Sequence, residues 1–153
     1  VNPYSRPGDK VSKVTAIVVH YVGNPGTTAE QNRSYFNNLA ELKNAYASSH
    51  YVVGLQGEII QCVPLDEIAY ASNNRNYDTI SIECCHQDAD GRFTDDTYNS
   101  LVRLVAALCR TYGLNPETDV IRHYDVTGKL CPIYYVNNPD EWYAFKLSVK
   151  NEM

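Results

Sequence analysis

The chain has 153 residues, a length typical of one domain with its own hydrophobic core. Hydrophobic residues make up 44% of it and charged residues 20%, as in ordinary globular proteins. The formal net charge is −5 and the Lys and Arg residues are scattered, which argues against a nucleic-acid partner. No apolar run is long enough to span a bilayer, so we expect no membrane insertion.

The cysteines and the first residues bear on the cellular compartment. The chain has five cysteines, an odd number, and is long enough to be stable without disulfide bonds. We therefore expect no disulfide framework, and we expect synthesis in a reducing cytoplasm. The chain opens without a basic segment followed by an apolar one, so we also expect no leader within it. Tyrosine is frequent, at 13 residues. We expect most of these rings at the surface, while a few lining a groove would suit the faces of sugars.

The first half of the chain predicts one helix between strands. Residues 1–13 form a turn-rich N-terminal arm. Val14–His20 is β-branched and apolar on both faces, which predicts a buried central strand. Thr28–Gln31 has the form of a capping box, and the helix that it begins should run to about Leu42. His50–Leu55 and Glu58–Val63 predict a hairpin.

The second half alternates strands and helices. Thr79–Cys85 predicts another strand, and Thr94 should cap a long helix that Gly113 ends. Val120–Arg122 is a short strand leading into His123, and Asn138 should cap a last helix with Pro139 in its first turn. We therefore predict a single α/β domain over residues 1–153, with a central mixed β-sheet covered by helices.

A short loop near the end of the chain contains several side chains that can bind a metal ion or take part in catalysis. His123, Lys129 and Cys131 lie within nine residues, and His20 ends the apolar strand far upstream. Two neutral imidazoles and a thiolate are good zinc ligands, and three protein ligands leave a fourth position open, as in catalytic sites. The residues alone thus suggest a zinc hydrolase with one Zn²⁺.

The order and spacing of these segments resemble the type-2 N-acetylmuramoyl-L-alanine amidases, which include phage endolysins, bacterial autolysins and peptidoglycan recognition proteins. The resemblance rests on His20, Ser49–Val53, Thr79–Glu83 and the segment from His123 to Lys129-Leu130-Cys131-Pro132. It implies a peptidoglycan-recognition-protein-like fold. It also implies cleavage of the amide between N-acetylmuramic acid and L-alanine in peptidoglycan.

Carried over residue by residue, the resemblance makes His20, His123 and Cys131 the zinc ligands. Glu83 matches a glutamate used as general base, and Lys129 matches a lysine beside the zinc. Candidate substrate contacts are His50, Tyr70, Asn73 and Arg75. The chain departs from the family in two places: Ser49 stands where one branch has a catalytic tyrosine, and no histidine follows Tyr70.

Several of these residues have a structural alternative. Lys129 could be a solvated loop residue and Glu83 an exposed strand end, and His50 is as well explained by a bond across the hairpin. His86 lies beside a polar turn and is expected to face solvent. The remaining cysteines read as core residues: Cys62, Cys84, Cys85 and Cys109.

Two other functions stay open at this point. The chain could be a recognition module that binds muropeptides without cleaving them, although such relatives lose the cysteine ligand that is kept here as Cys131. It could also be a Cys-His hydrolase with Cys131 as nucleophile. The resemblance favours the amidase, made in the cytoplasm and acting as a monomer at the bacterial cell wall. A wall-binding domain, common in relatives, is not expected within these residues.

Overall fold

A five-stranded sheet forms the centre of the computed structural model, which describes residues 2–153. The strands are β1 (Ala16–Tyr21), β2 (Tyr51–Val53), β3 (Ile59–Gln61), β4 (Thr79–Cys84) and β5 (Val120–Arg122). Their order is β3-β2-β4-β1-β5. All neighbouring pairs are parallel except β2 and β3, which form the antiparallel hairpin expected from the sequence. The mixed sheet is therefore confirmed.

The connecting segments contain short and long helices. They are α1 (Ala29–Leu42), α2 (Asp95–Tyr112), α3 (Pro116–Asp119), α4 (His123–Thr127), α5 (Ile133–Asn137) and α6 (Pro139–Glu152), with a 3₁₀ turn at Asn73–Arg75. The Thr28 hydroxyl accepts from the Gln31 amide while the Gln31 side chain accepts from the Thr28 amide, so the predicted capping box begins α1. Thr94 caps α2, and Gly113 ends it in a left-handed conformation at φ 66°.

The two faces of the sheet differ in character. Alternate strand residues such as Ile17 and Ile82 face a large apolar core closed by α2 and α6. The next residues along each strand face the opposite side, where α1 packs over β2 and β3 around a smaller cluster that includes Val52 and Phe36. His20 and Glu83 belong to this second side. The large core thus supports the sheet from behind and leaves the other face to a groove.

The last helix begins where expected, but not for the expected reason. Asn138 makes no side-chain cap to α6; its Nδ2 donates instead to the Tyr134 carbonyl of the preceding α5, at 2.8 Å. The side-chain cap predicted there is wrong. Because α5 ends directly before α6, a carbonyl of α5 accepts the hydrogen bond of the Asn138 side-chain amide. Trp142 and Phe145 of α6 are buried in the large core.

Two further features concern the compartment. No helix in residues 2–153 is long and apolar enough to cross a lipid bilayer. All five cysteines are free thiols: Cys84, Cys85, Cys109 and Cys131 are buried and Cys62 is half-buried.

Candidate active site

Three parallel strands bring the candidate residues to one edge of the sheet. In the β1–β4 register His20 lies beside Glu83, so the two side chains share one face near the strand ends. His123 follows directly after β5, the other neighbour of β1. Because the carboxyl ends of parallel strands meet at one edge of a sheet, this is where α/β proteins usually place a site.

The loop after β5 brings in Cys131. The one-turn helix α4 ends at Gly128, whose φ of 82° is a left-handed conformation that glycine adopts without strain. The Asp125 carboxylate accepts from the Arg122 amide at 2.9 Å and the Thr127 hydroxyl accepts from the Lys129 amide at 3.3 Å, so both side chains shape the loop. The Tyr124 amide then donates to the Cys131 carbonyl at 3.0 Å and closes the loop back on its start.

The result is a compact cluster of three potential metal ligands. One donor atom each of His20, His123 and Cys131 lies within 4.8 Å of the others, and all three residues are buried. The His20 Nδ1 and the Cys131 Sγ are 3.8 Å apart. Two nitrogens and one sulfur at this spacing match the donor set of a zinc site with an open position.

The protonation of the histidines suits metal binding. Burial, reinforced by the charges of His123 and Lys129, holds the pKa of His20 well below its usual range. Burial and Lys129 also lower the pKa of His123. Both rings are therefore neutral near pH 7, and the neutral imidazole is the form that ligates a metal.

Polar side chains around the cluster orient the rings. The Asn73 Oδ1 lies 2.8 Å from the His123 Nε2, which fixes the proton there and leaves Nδ1 free. The Ser72 hydroxyl lies 3.4 Å from the His20 Nε2 and 2.8 Å from the Ser81 hydroxyl. Outer hydrogen bonds of this kind are typical of metal-ligating histidines.

Glu83 presents an unpaired carboxylate beside the cluster. Its Oε2 is buried, and no donor within residues 2–153 reaches it. Burial raises the pKa of Glu83 to about 8, an effect that the positive charge of Lys129 partly offsets. A buried carboxyl without a partner costs stability and is a common mark of a functional group.

A groove of about 520 Å³ opens over the cluster. Glu83 and Lys129 are the acidic and basic residues among those that line it, and Lys129 is exposed at its rim. Tyr70 and Asn73 also line it, as expected for substrate contacts. Other lining residues that the sequence interpretation did not name as contacts are Tyr21, Phe36, Tyr46, Ser48 and Asn76.

Two of the four proposed substrate contacts are not brought to the groove. His50 is fully buried, its Nδ1 accepts from the Ser81 amide at 3.0 Å, and its Nε2 donates to the Glu67 carbonyl at 2.7 Å. Both ring nitrogens therefore bond main-chain groups, as in the structural alternative, but the partners lie in β4 and in the segment after β3 and not across the hairpin. Arg75 donates to the carboxylate of Asp78 at 2.8 Å instead of reaching into the groove.

His86 is buried, so the expectation that it faces solvent is wrong. Its Nε2 accepts from the Gly23 amide at 3.1 Å and its Nδ1 donates to the Asp88 carbonyl at 2.8 Å. The ring also packs on Tyr21, with centroids 5.0 Å apart. The polar residues after His86 indicated a surface turn, but the ring itself ties that turn to the loop after β1.

Comparison with known proteins identifies the family. The family described as N-acetylmuramoyl-L-alanine amidase matches residues 10–133. The chain belongs to this amidase family. It is 36% identical over 173 aligned positions to the N-acetylmuramoyl-L-alanine amidase BlyA of Bacillus subtilis (strain 168), covering 100% of the chain and 46% of BlyA. It is also 36% identical to CwlL of Bacillus licheniformis, an N-acetylmuramoyl-L-alanine amidase, over 97% of the chain and 44% of CwlL.

Solved structures share the fold of this chain. PlyL superposes with a TM-score of 0.81 at 26% identity, over 99% of this chain and 91% of PlyL. The PlyG catalytic domain superposes with a TM-score of 0.80 at 28% identity, over 97% of this chain and 87% of that domain. The chain spans about half the length of the curated relatives that it matches. The predicted amidase fold is therefore confirmed.

Proposed function

We propose that this chain hydrolyses the amide bond between N-acetylmuramic acid and L-alanine in peptidoglycan, using one zinc ion held by His20, His123 and Cys131. The observation that carries the proposal is the convergence of these three buried donors beside the unpaired carboxylate of Glu83, at the floor of an open groove. The named amidase relatives support the choice of substrate.

The donor set fits zinc better than a hard cation, because sulfur and imidazole ligands are preferred by zinc. Zinc in this position would supply Lewis acidity towards the scissile carbonyl and towards water. The protein contributes the orientation of the ligands: Asn73 and Ser72 hold the histidine rings from outside. Burial of the cluster limits competing water.

Glu83 is the proposed general base. Its free Oε2 can take a proton from the attacking water and return it to the nitrogen of the departing alanine. The positive charge of Lys129 favours the ionised form that accepts this proton. Because the carboxylate lies beside His20 in the sheet, it is held by a rigid element rather than by a loop.

Lys129 is the proposed electrostatic stabiliser. Its ammonium group lies at the groove rim and can donate to the substrate carbonyl oxygen as negative charge develops there. A donor of this kind is worth about 3 kcal/mol of barrier when it is removed. Tyr70 and Asn73 remain proposed substrate contacts, since both line the same groove.

Two alternative functions are less well supported. A thiol nucleophile needs a thiolate in the metal-free protein, where burial raises the pKa of Cys131 to about 12, whereas a bound metal ion would itself favour the thiolate as a ligand. A module that only binds muropeptides would have no use for an unpaired buried carboxylate, and here Glu83 is retained beside a complete donor set.

We further propose that the protein acts on the bacterial cell wall as a monomer and has no nucleic-acid partner. The family supports action at the cell wall, and the acidic net charge of −5 argues against a nucleic-acid partner.

Digestion of purified cell walls tests the function directly. We expect new N-terminal alanine and intact glycan strands, with loss of activity on chelation and recovery with added Zn²⁺. Release of reducing sugar ends without new N-terminal alanine would replace the amidase by a glycosidase. Full activity of a metal-free preparation would reject the role of zinc.

A further inference from the structure

Three tyrosines form a contiguous aromatic surface at the groove. Tyr4 of the N-terminal arm stacks on Tyr46, with ring centroids 5.0 Å apart and planes 18° from parallel. Tyr70 meets Tyr46 edge-on, with centroids 5.6 Å apart. Tyr46 and Tyr70 line the groove, and Tyr46 remains 66% exposed although it contacts both other rings. Neither the metal cluster nor Glu83 accounts for this surface.

Main-chain hydrogen bonds hold the surface in place. The Ala47 amide donates to the Tyr4 carbonyl at 3.0 Å, and the Ser48 amide donates to the Tyr70 carbonyl at 3.0 Å. The Tyr70 amide returns a bond to the Ser48 hydroxyl at 2.8 Å. The segment after Tyr46 is thus fixed on both sides although it belongs to no helix or strand. A large exposed ring held this firmly is pre-organised for a ligand.

A second contact ties the arm itself to the body of the domain. The Arg6 guanidinium donates to both carboxylate oxygens of Glu67, at 2.7 and 2.8 Å. Such a bidentate pair has a fixed geometry. Because Arg6 lies two residues after Tyr4, this pair restrains the ring that backs Tyr46.

The residues around the tyrosine surface indicate which part of the substrate it can bind. The charged groups among the groove residues, Glu83 and Lys129, belong to the reaction centre, so the tyrosine surface brings no charged partner to the groove. Stem peptides carry carboxylates, which prefer a cationic partner, whereas the apolar face of a neutral pyranose ring matches an aromatic ring with a polar tip. The nearby Asn76 Oδ1 already accepts from the Ala71 and Ser72 amides, which leaves its NH₂ to donate to a sugar oxygen.

We propose that Tyr46, backed by Tyr4 and edged by Tyr70, is the stacking platform for a sugar ring of the glycan strand. This inference rests on the proposed function and assigns one end of the groove to the glycan side of the substrate. Tyr46 is the direct contact, and Tyr4 is a positioning residue that holds its ring.

The test compares two soluble substrates with the zinc-loaded protein. One is a disaccharide-pentapeptide, and the other is the same peptide carrying only the lactyl group in place of the sugars. We expect Tyr46→Ala to raise KM for the first substrate about tenfold with little change in kcat. KM for the sugar-free substrate should stay unchanged. Tyr46→Phe should keep most of the affinity, because it retains the ring.

The controls separate this idea from folding and from the amidase proposal. Tyr143→Ala removes a tyrosine of similar exposure, 65%, from α6 away from the groove and should leave both substrates unaffected. An equal effect of Tyr46→Ala on both substrates, or none on either, would overturn the platform. If the wild type cleaves neither substrate, the amidase proposal fails. The platform is then tested by calorimetric titration with a chitin-type oligosaccharide. About tenfold weaker binding by Tyr46→Ala than by the wild type supports the platform, and equal binding by the two proteins or no binding by either rejects it.

Discussion

Replacing Glu83 by glutamine should make the metal-free protein more stable while it removes hydrolysis. The substitution keeps the shape of the side chain but cannot ionise. Burial raises the pKa of the folded carboxyl to about 8 from an ordinary value of 4.5. The wild type therefore loses stability as the pH rises from about 4.5 to about 8 and changes no further above that pH.

The size of the effect follows from the same shift. Between pH 4.5 and pH 7 lie about 2.5 pH units, and each lowers the free energy of unfolding by about 1.36 kcal/mol. The total loss of stability at pH 7 is therefore about 3 kcal/mol. Glu83 is only half-buried as a residue, and groove water screens part of this cost. We expect the free energy of unfolding of chelator-treated Glu83→Gln to exceed that of the wild type by about 1 to 3 kcal/mol at pH 7, and by almost nothing at pH 4.5.

Urea denaturation between pH 4.5 and 8 measures the difference. Glu41→Gln, an exposed change on α1, is the matched control and should follow the wild type throughout. The wall-digestion rate of zinc-loaded Glu83→Gln should fall by about two to four orders of magnitude. A stability difference that does not vary with pH would refute the electrostatic reasoning, and a wild-type digestion rate would remove Glu83 from the mechanism.

Three further changes and one comparison variant test the site and the fold. We expect metal analysis to find about one zinc ion per wild-type molecule and Cys131→Ala to lose it; a variant that keeps the zinc quantitatively would remove Cys131 from the ligand set. Lys129→Met should keep its zinc but lower kcat about a hundredfold in the peptide-release assay, from the loss of about 3 kcal/mol of charge stabilisation, and an unchanged kcat would make Lys129 a solvated rim residue. Gly57→Ala should cost about 3 kcal/mol in urea unfolding, because φ is +82° and the new Cβ would lie 2.6 Å from the Ser100 Oγ. Gly113→Ala, with φ +66° and open space around it, should cost only about 1 kcal/mol, so equal costs would contradict the steric argument.

The sequence predicted those features whose causes are local. The capping box at Thr28 and the glycine stop at Gly113 depend on a few neighbouring residues, and both are present. The edge where His20 and His123 meet follows from placing both at the ends of predicted buried strands. Cys131 could be added to the two histidines because a thiolate is a good zinc ligand. The three ligands could therefore be predicted without knowing how the loop after β5 folds.

The features that sequence reasoning missed depend on which loops meet in space. His50 uses both ring nitrogens on main-chain groups of distant segments, and His86 bonds the distant Gly23 amide as well as the nearby Asp88 carbonyl. The sequence around each histidine does not specify the distant partners. Arg75 forms a salt bridge with Asp78, three residues away. From the sequence alone, this was only one of several possible ion pairs. Tyr46 was passed over because it lies outside the strand motif, yet the N-terminal arm brings Tyr4 against it.

The placement of the groove on the thinly covered side of the sheet has a practical consequence. The larger of the two apolar cores lies behind the strands, where α2 and α6 bury their apolar stripes. Side chains at the mouth of the opposite side can therefore be exchanged with little loss of thermal tolerance. Under the proposed function, the domain is a favourable starting point for libraries that vary affinity for the cell wall, because residues of the groove can be changed while the framework stays intact.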